Sequence, residues 1–522
     1  MKKLQKLPIG KSSFESIREH NELYVDKTCR LFQMADAGDF YFMSRPRRFG
    51  KSLTVSTLKY LFEGRKELFE GLWITKHTDW QWQPHPTVLL DFNSISHDTP
   101  ENLKQGLREH LHNFGLTNGI QLKYSLLKEQ FKELILALHH KTGRHVVILI
   151  DEYDKPLIDH LGKGAKALEI AKSNRDILKY FLGVIKGGEV SSALRFVFIT
   201  GVSKFSRVSI FSELNNLEDI TMIEPYAAML GYTQEELETY FKPYIKLLSE
   251  KRNASEAEVS ESLERHYNGY RFSKRNVRVY NPFSVMSALK HRDFKNYWFE
   301  TGTPTFLVNI LKESDYPVAK IENLQLDEMV FSVYDIDRLQ PEALLYQTGY
   351  ITIKDVNNDI YSFHYPNQEV KISFLKFLMF AYIPGNGSDR SLFLRLCGYL
   401  RQENLDAFME TVTALFASIP YTLESKRDEA YFHTAFFLMV SASGANAQSE
   451  VLCCDGRIDL VIEFADKIYI IEFKCNQSAE MGIKQIRKKS YDKKFWQSGK
   501  KIILIGIDFD SEKRNVAEWK AA

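Results

Sequence analysis

Gly50, Lys51 and Ser52 close the segment YFMSRPRRFGKSL (41–53), just after a run of bulky apolar residues. A glycine, a lysine and a hydroxyl in that order, between a strand and a helix, suit phosphate binding. Backbone N–H groups at the start of a helix cradle an anion. Lys51 would reach the β- and γ-phosphates of a nucleoside triphosphate, and Ser52 would ligate Mg²⁺. The general spacing G-x-x-x-x-G-K-[ST] fails at its first glycine, where Arg45 stands. Arg45, Arg47 and Arg48 would add charge-assisted bonds to phosphate. The nucleotide-binding set is then Arg47, Arg48, Phe49, Gly50, Lys51, Ser52 and Leu53. Taken alone, such a match is as often a basic surface loop.

Two further segments favour ATP. HVVILIDE (145–152) is an apolar strand ending in two acids. Asp151 would hold Mg²⁺, and Glu152 would orient or deprotonate the attacking water; the bland alternative is a strand whose acids cap the next helix. FITGVSK (198–204) ends another strand in polar residues, which puts Thr200 and Ser203 where they could sense the γ-phosphate.

A second chemistry is written near the C-terminus. GRIDLVIEF (456–464) and KIYIIEFK (467–474) read as a hairpin. Asp459 on one strand faces Glu472 and Lys474 on the other, and the last two share a face because they are two apart. Metal-dependent phosphodiester hydrolysis needs carboxylates converging on Mg²⁺ (or Mn²⁺) and a cation near the attacking water. Asp459 and Glu472 would bind the metal, and Lys474 would position the water. Glu429 opens a helix upstream as a further metal ligand, with His433 on the same face. Downstream, Gln485, Lys488 and Tyr491 lie in a stretch with eight Lys/Arg against Asp492 between Lys484 and Lys501, a net +7. Interleaved with Phe495 and Trp496, this stretch suits a nucleic-acid backbone, DNA being favoured. The alternatives are a hairpin with solvent-facing charges and a solvated helix face.

The elements that must carry these residues form an α/β chain. DFYFMS, PTVLLDF, HVVILID and LRFVFITG, separated by helical stretches, predict a parallel sheet with crossover helices. The middle is mostly helical, with a hairpin expected in YITIKDVNNDIYSFHYP around Asn357-Asn358. A β-β-α-β series ends the chain. Three regions follow: 1–225, 226–400 and 401–522. The net charge of +2 over 522 residues makes no case for nucleic-acid binding, so local patches must carry it. Five cysteines (Cys29, Cys397, Cys453, Cys454, Cys475) without a CxxC pair point to reduced thiols and a cytoplasmic protein. No run approaches the ~20 apolar residues of a membrane helix, so no membrane partner is expected.

YVDKT, SRPRRFGKSL, ILIDEYDKPL and FITGVSKFS resemble the bacterial AAA-ATPase-like family that carries a C-terminal PD-(D/E)XK nuclease-like domain. NGYRF, YNPFSV, NYWFETGTP and LLYQTGYITIK resemble the same family, and D-x(12)-E-x-K is the nuclease pattern. That family's loop is usually RPRRFGKS, so Arg45 departs from the general motif only. The resemblance implies an AAA-like P-loop domain and a restriction-endonuclease-like domain, and LLYQTGYITIK with the hairpin after it reads as a winged-helix-like lid in the helical middle. The expected function is ATP binding and hydrolysis coupled to a metal-dependent nuclease. The rival is a nucleotide-dependent switch whose last domain binds nucleic acid or a partner without cleaving. A homo-oligomer is left open.

Overall fold

The computed structural model describes residues 4–522 except 39, 205–215, 301–304, 315, 332–339, 383–391, 420–427 and 454. Cys454 and the ends of FITGVSKFS and NYWFETGTP lie outside the described residues. Contacts divide the chain into two compact units: Met1–Leu307 with Leu326–Tyr361, and Val308–Gln325 with Ser362–Ala522.

The first unit is built on β1 (Phe40–Ser44), β2 (Thr87–Asp91), β3 (Val146–Asp151), β4 (Leu194–Gly201) and β5 (Leu217–Asp219). They form one sheet in the order β2-β3-β4-β1-β5, every pairing parallel. β1 and β3 are buried along their whole length, as expected for parallel strands covered on both faces. β1 and β3, which carry the two motifs, are not neighbours; β4 pairs with both, Gly201 beside Ser44 and Ile199 beside Ile150. The short β5 is a fifth strand that the apolar runs do not announce.

The rest of this unit is mostly helical. Helices Gln234–Arg252 and Glu256–Tyr267 each begin with a reciprocal capping box, Thr233/Glu236 and Ser255/Glu258. Their inner faces pack with Tyr280 and Val285 into one core. Asn281 caps the helix Pro282–His291 by accepting the Ser284 N–H. Two small strands, β6 (Tyr270–Arg271) and β7 (Arg278–Val279), precede it, and β8 (Gln325–Leu326) follows later. β9 (Thr352–Asn357) and β10 (Ile360–His364) are joined by Asn358 and Asp359, both at positive φ, the geometry of a tight hairpin turn.

The second unit has a sheet of β11 (Asn446–Cys453), β12 (Gly456–Glu463), β13 (Lys467–Cys475), β14 (Lys501–Asp510) and β15 (Asn515–Ala521) in sequential order. Only β13 and β14 run parallel, because the helix Ala479–Lys488 crosses between them. That crossing is tight: a Cβ on Gly506 would meet the Ala479 carbonyl. The basic stretch is two pieces. The α-helix stops at Lys488, Ser490 takes a left-handed conformation, and Tyr491–Ser498 continues as a 3-10 helix. Among the described residues no helix is long and apolar enough to cross a membrane.

Candidate functional sites

At the phosphate site β1 delivers a loop with Arg48 and Gly50 at positive φ, the alternation that turns successive N–H groups inward. The helix Lys51–Phe62 follows. Arg47, Arg48, Phe49, Gly50, Lys51, Ser52 and Leu53 all line one cavity of about 480 Å³, as does Glu152. Lys51 is buried, and its Nζ donates to the carbonyls of Arg45 (3.0 Å) and Pro46 (3.1 Å). Burial lowers its pKa, while Glu152 and Asp151 counter that.

Ser52 stands near the end of β3, where its hydroxyl counters part of the rise in the Asp151 pKa. Burial pushes the Asp151 carboxyl up to about 6, and its Oδ1 is buried without a hydrogen-bond partner among the described residues. A hydroxyl beside an unsatisfied carboxylate oxygen is a hard donor set that fits Mg²⁺. Glu152 has φ of 50°, strain of the kind held at functional turns.

Arg45 corrects the phosphate reading of the three arginines. It is fully buried, lies over the Phe272 ring at 4.3 Å, and donates to the carbonyls of Ser44, Thr221 and Tyr226. Burial lowers its pKa to about 10. Thr200 and Ser203 do not line the cavity. Thr200 Oγ1 donates to the Met43 carbonyl (2.8 Å), and Ser203 Oγ donates to Asp154 (2.7 Å).

Asp154 has no role in the sequence reading. It is buried, accepts the Val202 and Ser203 N–H groups, and crowds Gly201 so closely that no Cβ fits there. Its place in ILIDEYDKPL is the available sequence signal. Lys11, Lys27, Asn93 and Lys155 also line the cavity, and only Lys27 and Lys155 fall in quoted motifs.

In the second unit Asp459 and Glu472 meet. The Asp459 N–H donates to Glu472 Oε1 (3.3 Å), and the Phe473 N–H donates to Asp459 Oδ2 (2.8 Å). Glu472 is fully buried. Burial, then the Asp459 charge, holds its pKa far above the carboxylate range. Lys474 Nζ stands 3.8 Å from Glu472 Oε2 and donates to the Phe473 carbonyl. Two carboxyls this close, one of them held protonated by burial, fit a divalent cation.

Glu429 sits exposed in the first helical turn, near enough to feel Lys474 and Asp459. Desolvation raises its pKa. Among the described residues no three acidic, His or Cys side chains are grouped to hold a metal, so Glu429, Asp459 and Glu472 are not brought together as the three ligands the sequence suggested. His433 holds the Asp459 carbonyl (2.9 Å) and Ser449 (3.0 Å).

Gln485 and Tyr491 are also corrected: they face inward, not toward solvent. Gln485 donates to Glu472 Oε2 at 2.6 Å. Tyr491 is buried and packs with Ile458, Ile470 and Ile486. Lys488 is exposed, with Lys484, Arg487, Lys489, Lys493 and Lys494. Lys500 and Lys501 are paired with Glu463 and Glu403, which leaves six cations against Asp492. Trp496 is exposed beside Lys493.

A parallel-sheet unit with a phosphate loop, followed by a unit with a D…ExK hairpin, defines a nucleotide-hydrolase type joined to a nuclease type. Residues 8–211 match the family model for a predicted AAA-ATPase, and residues 427–519 match that of the PD-(D/E)XK nuclease superfamily. An uncharacterized protein in the vnfD 5'region of Azotobacter chroococcum mcd 1 is 35% identical over 98% of both chains. The chain belongs to this family of predicted AAA-ATPases with a C-terminal PD-(D/E)XK nuclease domain.

Proposed function

We propose that the chain hydrolyses ATP and that its nucleotide state governs metal-dependent cleavage of nucleic acid, with DNA as the favoured substrate. The observation that carries this reading is the buried Asp459–Glu472 pair with Lys474 at 3.8 Å, beside six exposed cations and an exposed Trp496. A buried carboxyl pair is costly to keep unless it serves a cation.

In the first unit Ser52 and Asp151 hold magnesium, which supplies charge neutralisation at the phosphates. Lys51 exchanges its two carbonyls for the β- and γ-phosphates, the loop amides bind the same oxygens, and Glu152 takes the proton of the attacking water. The purine lies on the apolar wall of the cavity made by Val25, Met229, Phe283 and Met286.

In the second unit Asp459 and Glu472 hold a divalent cation, which supplies Lewis-acid polarisation of the scissile phosphate. Gln485 fixes the Glu472 carboxyl, His433 fixes the Asp459 backbone, and Lys474 orients water. The exposed lysines and arginine grip the phosphate backbone, and Trp496 stacks on a base.

The test is ATP turnover with and without DNA, alongside DNA cleavage in Mn²⁺ with and without ATP, with Asp459→Ala as control. Turnover stimulated by DNA and cleavage lost only in Asp459→Ala are expected. A pure wild-type sample that binds DNA but never cuts it reduces the second unit to a binding module.

A further inference from the structure

Lys155 lines the same cavity as Lys51, Ser52 and Glu152, and its N–H donates to the Glu152 carbonyl at 3.0 Å. Its Nζ is held 2.8 Å from Asp159 Oδ2, one helical turn on. That same oxygen faces His97 Nε2 at 3.0 Å, while His97 Nδ1 faces the Ile95 carbonyl at 2.7 Å. Both ring nitrogens therefore meet acceptors, which favours the charged ring, and the Asp159 contact raises the His97 pKa. Asp159 has two basic partners where one would suffice.

The other lysines of the cavity are tied more tightly. Lys11 holds Glu22 and Lys27 holds Glu236, whose side chains are 7% and 21% exposed. Pulling either lysine away strands a carboxylate with little access to water, which is costly. Lys51 already belongs to the phosphate loop. Asp159 is 40% exposed and keeps His97, so Lys155 is the cavity lysine that leaves its partner at least cost.

We propose that Lys155 is the γ-phosphate cation of ATP hydrolysis, held in reserve on Asp159; this rests on the ATPase reading above. In the step, the water oxygen bonds to Pγ and the water proton passes to Glu152. The bond from Pγ to the β–γ bridging oxygen breaks, and its electron pair stays on the ADP oxygen. Lys155 keeps its protons and pairs with the γ-phosphoryl oxygens as they gather charge.

The experiment measures phosphate release, and the affinities of fluorescent ADP and a non-hydrolysable ATP analogue, for wild type, Lys155→Ala, Lys155→Arg and Asp159→Asn, each checked by thermal melting. Lys155→Ala should keep ADP affinity and lose at least about 100-fold in kcat. Lys155→Arg should recover much of that loss. Asp159→Asn, which frees Lys155, should tighten the ATP analogue relative to ADP. Wild-type kcat in Lys155→Ala overturns the proposal, and so does equal loss of ADP and ATP binding, which would make Lys155 merely structural. A wild-type protein that binds no nucleotide removes the ATPase reading first, and the proposal with it.

Discussion

Glu472 offers the sharpest test because its proton and a metal compete for one place. Its usual value is 4.5, and burial beside Asp459 raises it far above that. The sign follows. At pH 7 the native, metal-free protein keeps a proton that the unfolded chain has released, so stability is fully present below pH ~4.5 and falls as pH rises toward the folded value, by about 1.4 kcal/mol per pH unit. Binding of Mn²⁺ must expel that proton, so the logarithm of the metal association constant should rise by about one per pH unit between pH 6 and 8.

The assay is calorimetric titration with Mn²⁺ in two buffers of different ionisation enthalpy, which counts released protons directly, together with urea unfolding from pH 6 to 8. Glu472→Gln should bind metal weakly, release no proton, and be more stable than wild type at pH 8 without metal, since Gln can keep a hydrogen bond to Asp459 at no charge. Proton release near zero in the wild type would refute the reasoning, because Glu472 would then be either already ionised or no ligand.

Lys51→Ala should abolish binding of a labelled ATP analogue while leaving Mn²⁺ binding at Asp459 intact; retained nucleotide affinity would remove the phosphate-loop reading. Arg45→Met should cost about 2–4 kcal/mol in urea unfolding, since three carbonyls lose a buried donor, with phosphate affinity falling only as far as the loop loosens. A neutral effect on stability would mean the Arg45 bonds carry little of the fold.

What the sequence reveals of this molecule is what local pattern can encode. Apolar runs gave four of the five strands of the first sheet, and residue spacing brought Asp459, Glu472 and Lys474 together. The insertion of β4 between β1 and β3 is a long-range pairing that no window contains. The inward turn of Arg45 depends on Phe272 and Thr221, and the hydroxyls of Thr200 and Ser203 are taken by Met43 and Asp154. Each is a residue whose type suggested a ligand and whose partner lies elsewhere in the chain. Tyr491 misled for a related reason: its basic neighbours are exposed, but Ser490 bends the backbone and turns the ring into the core.

The phosphate loop itself is shaped from outside. Trp298 Nε1 donates to the Arg47 carbonyl at 3.1 Å, the Tyr350 ring packs against Trp298, and Phe49 lies against Tyr270 and Phe272. Gly349, at φ of 87°, approaches Pro46 so closely that a Cβ would come within 2.7 Å of the proline ring. Either the helix Pro341–Thr348 or the loop must then give way in Gly349→Ala, and a left-handed alanine adds about 1–2 kcal/mol of its own. The loop is the softer partner, since Arg48 is exposed and Gly50 has open space around it. If the loop absorbs the strain, ATP affinity should fall about tenfold or more, with only a small change in melting temperature. If affinity holds while the melting temperature drops, the strain has gone into the helix, and the grip of the QTGY turn on the phosphate loop is packing without consequence for nucleotide binding.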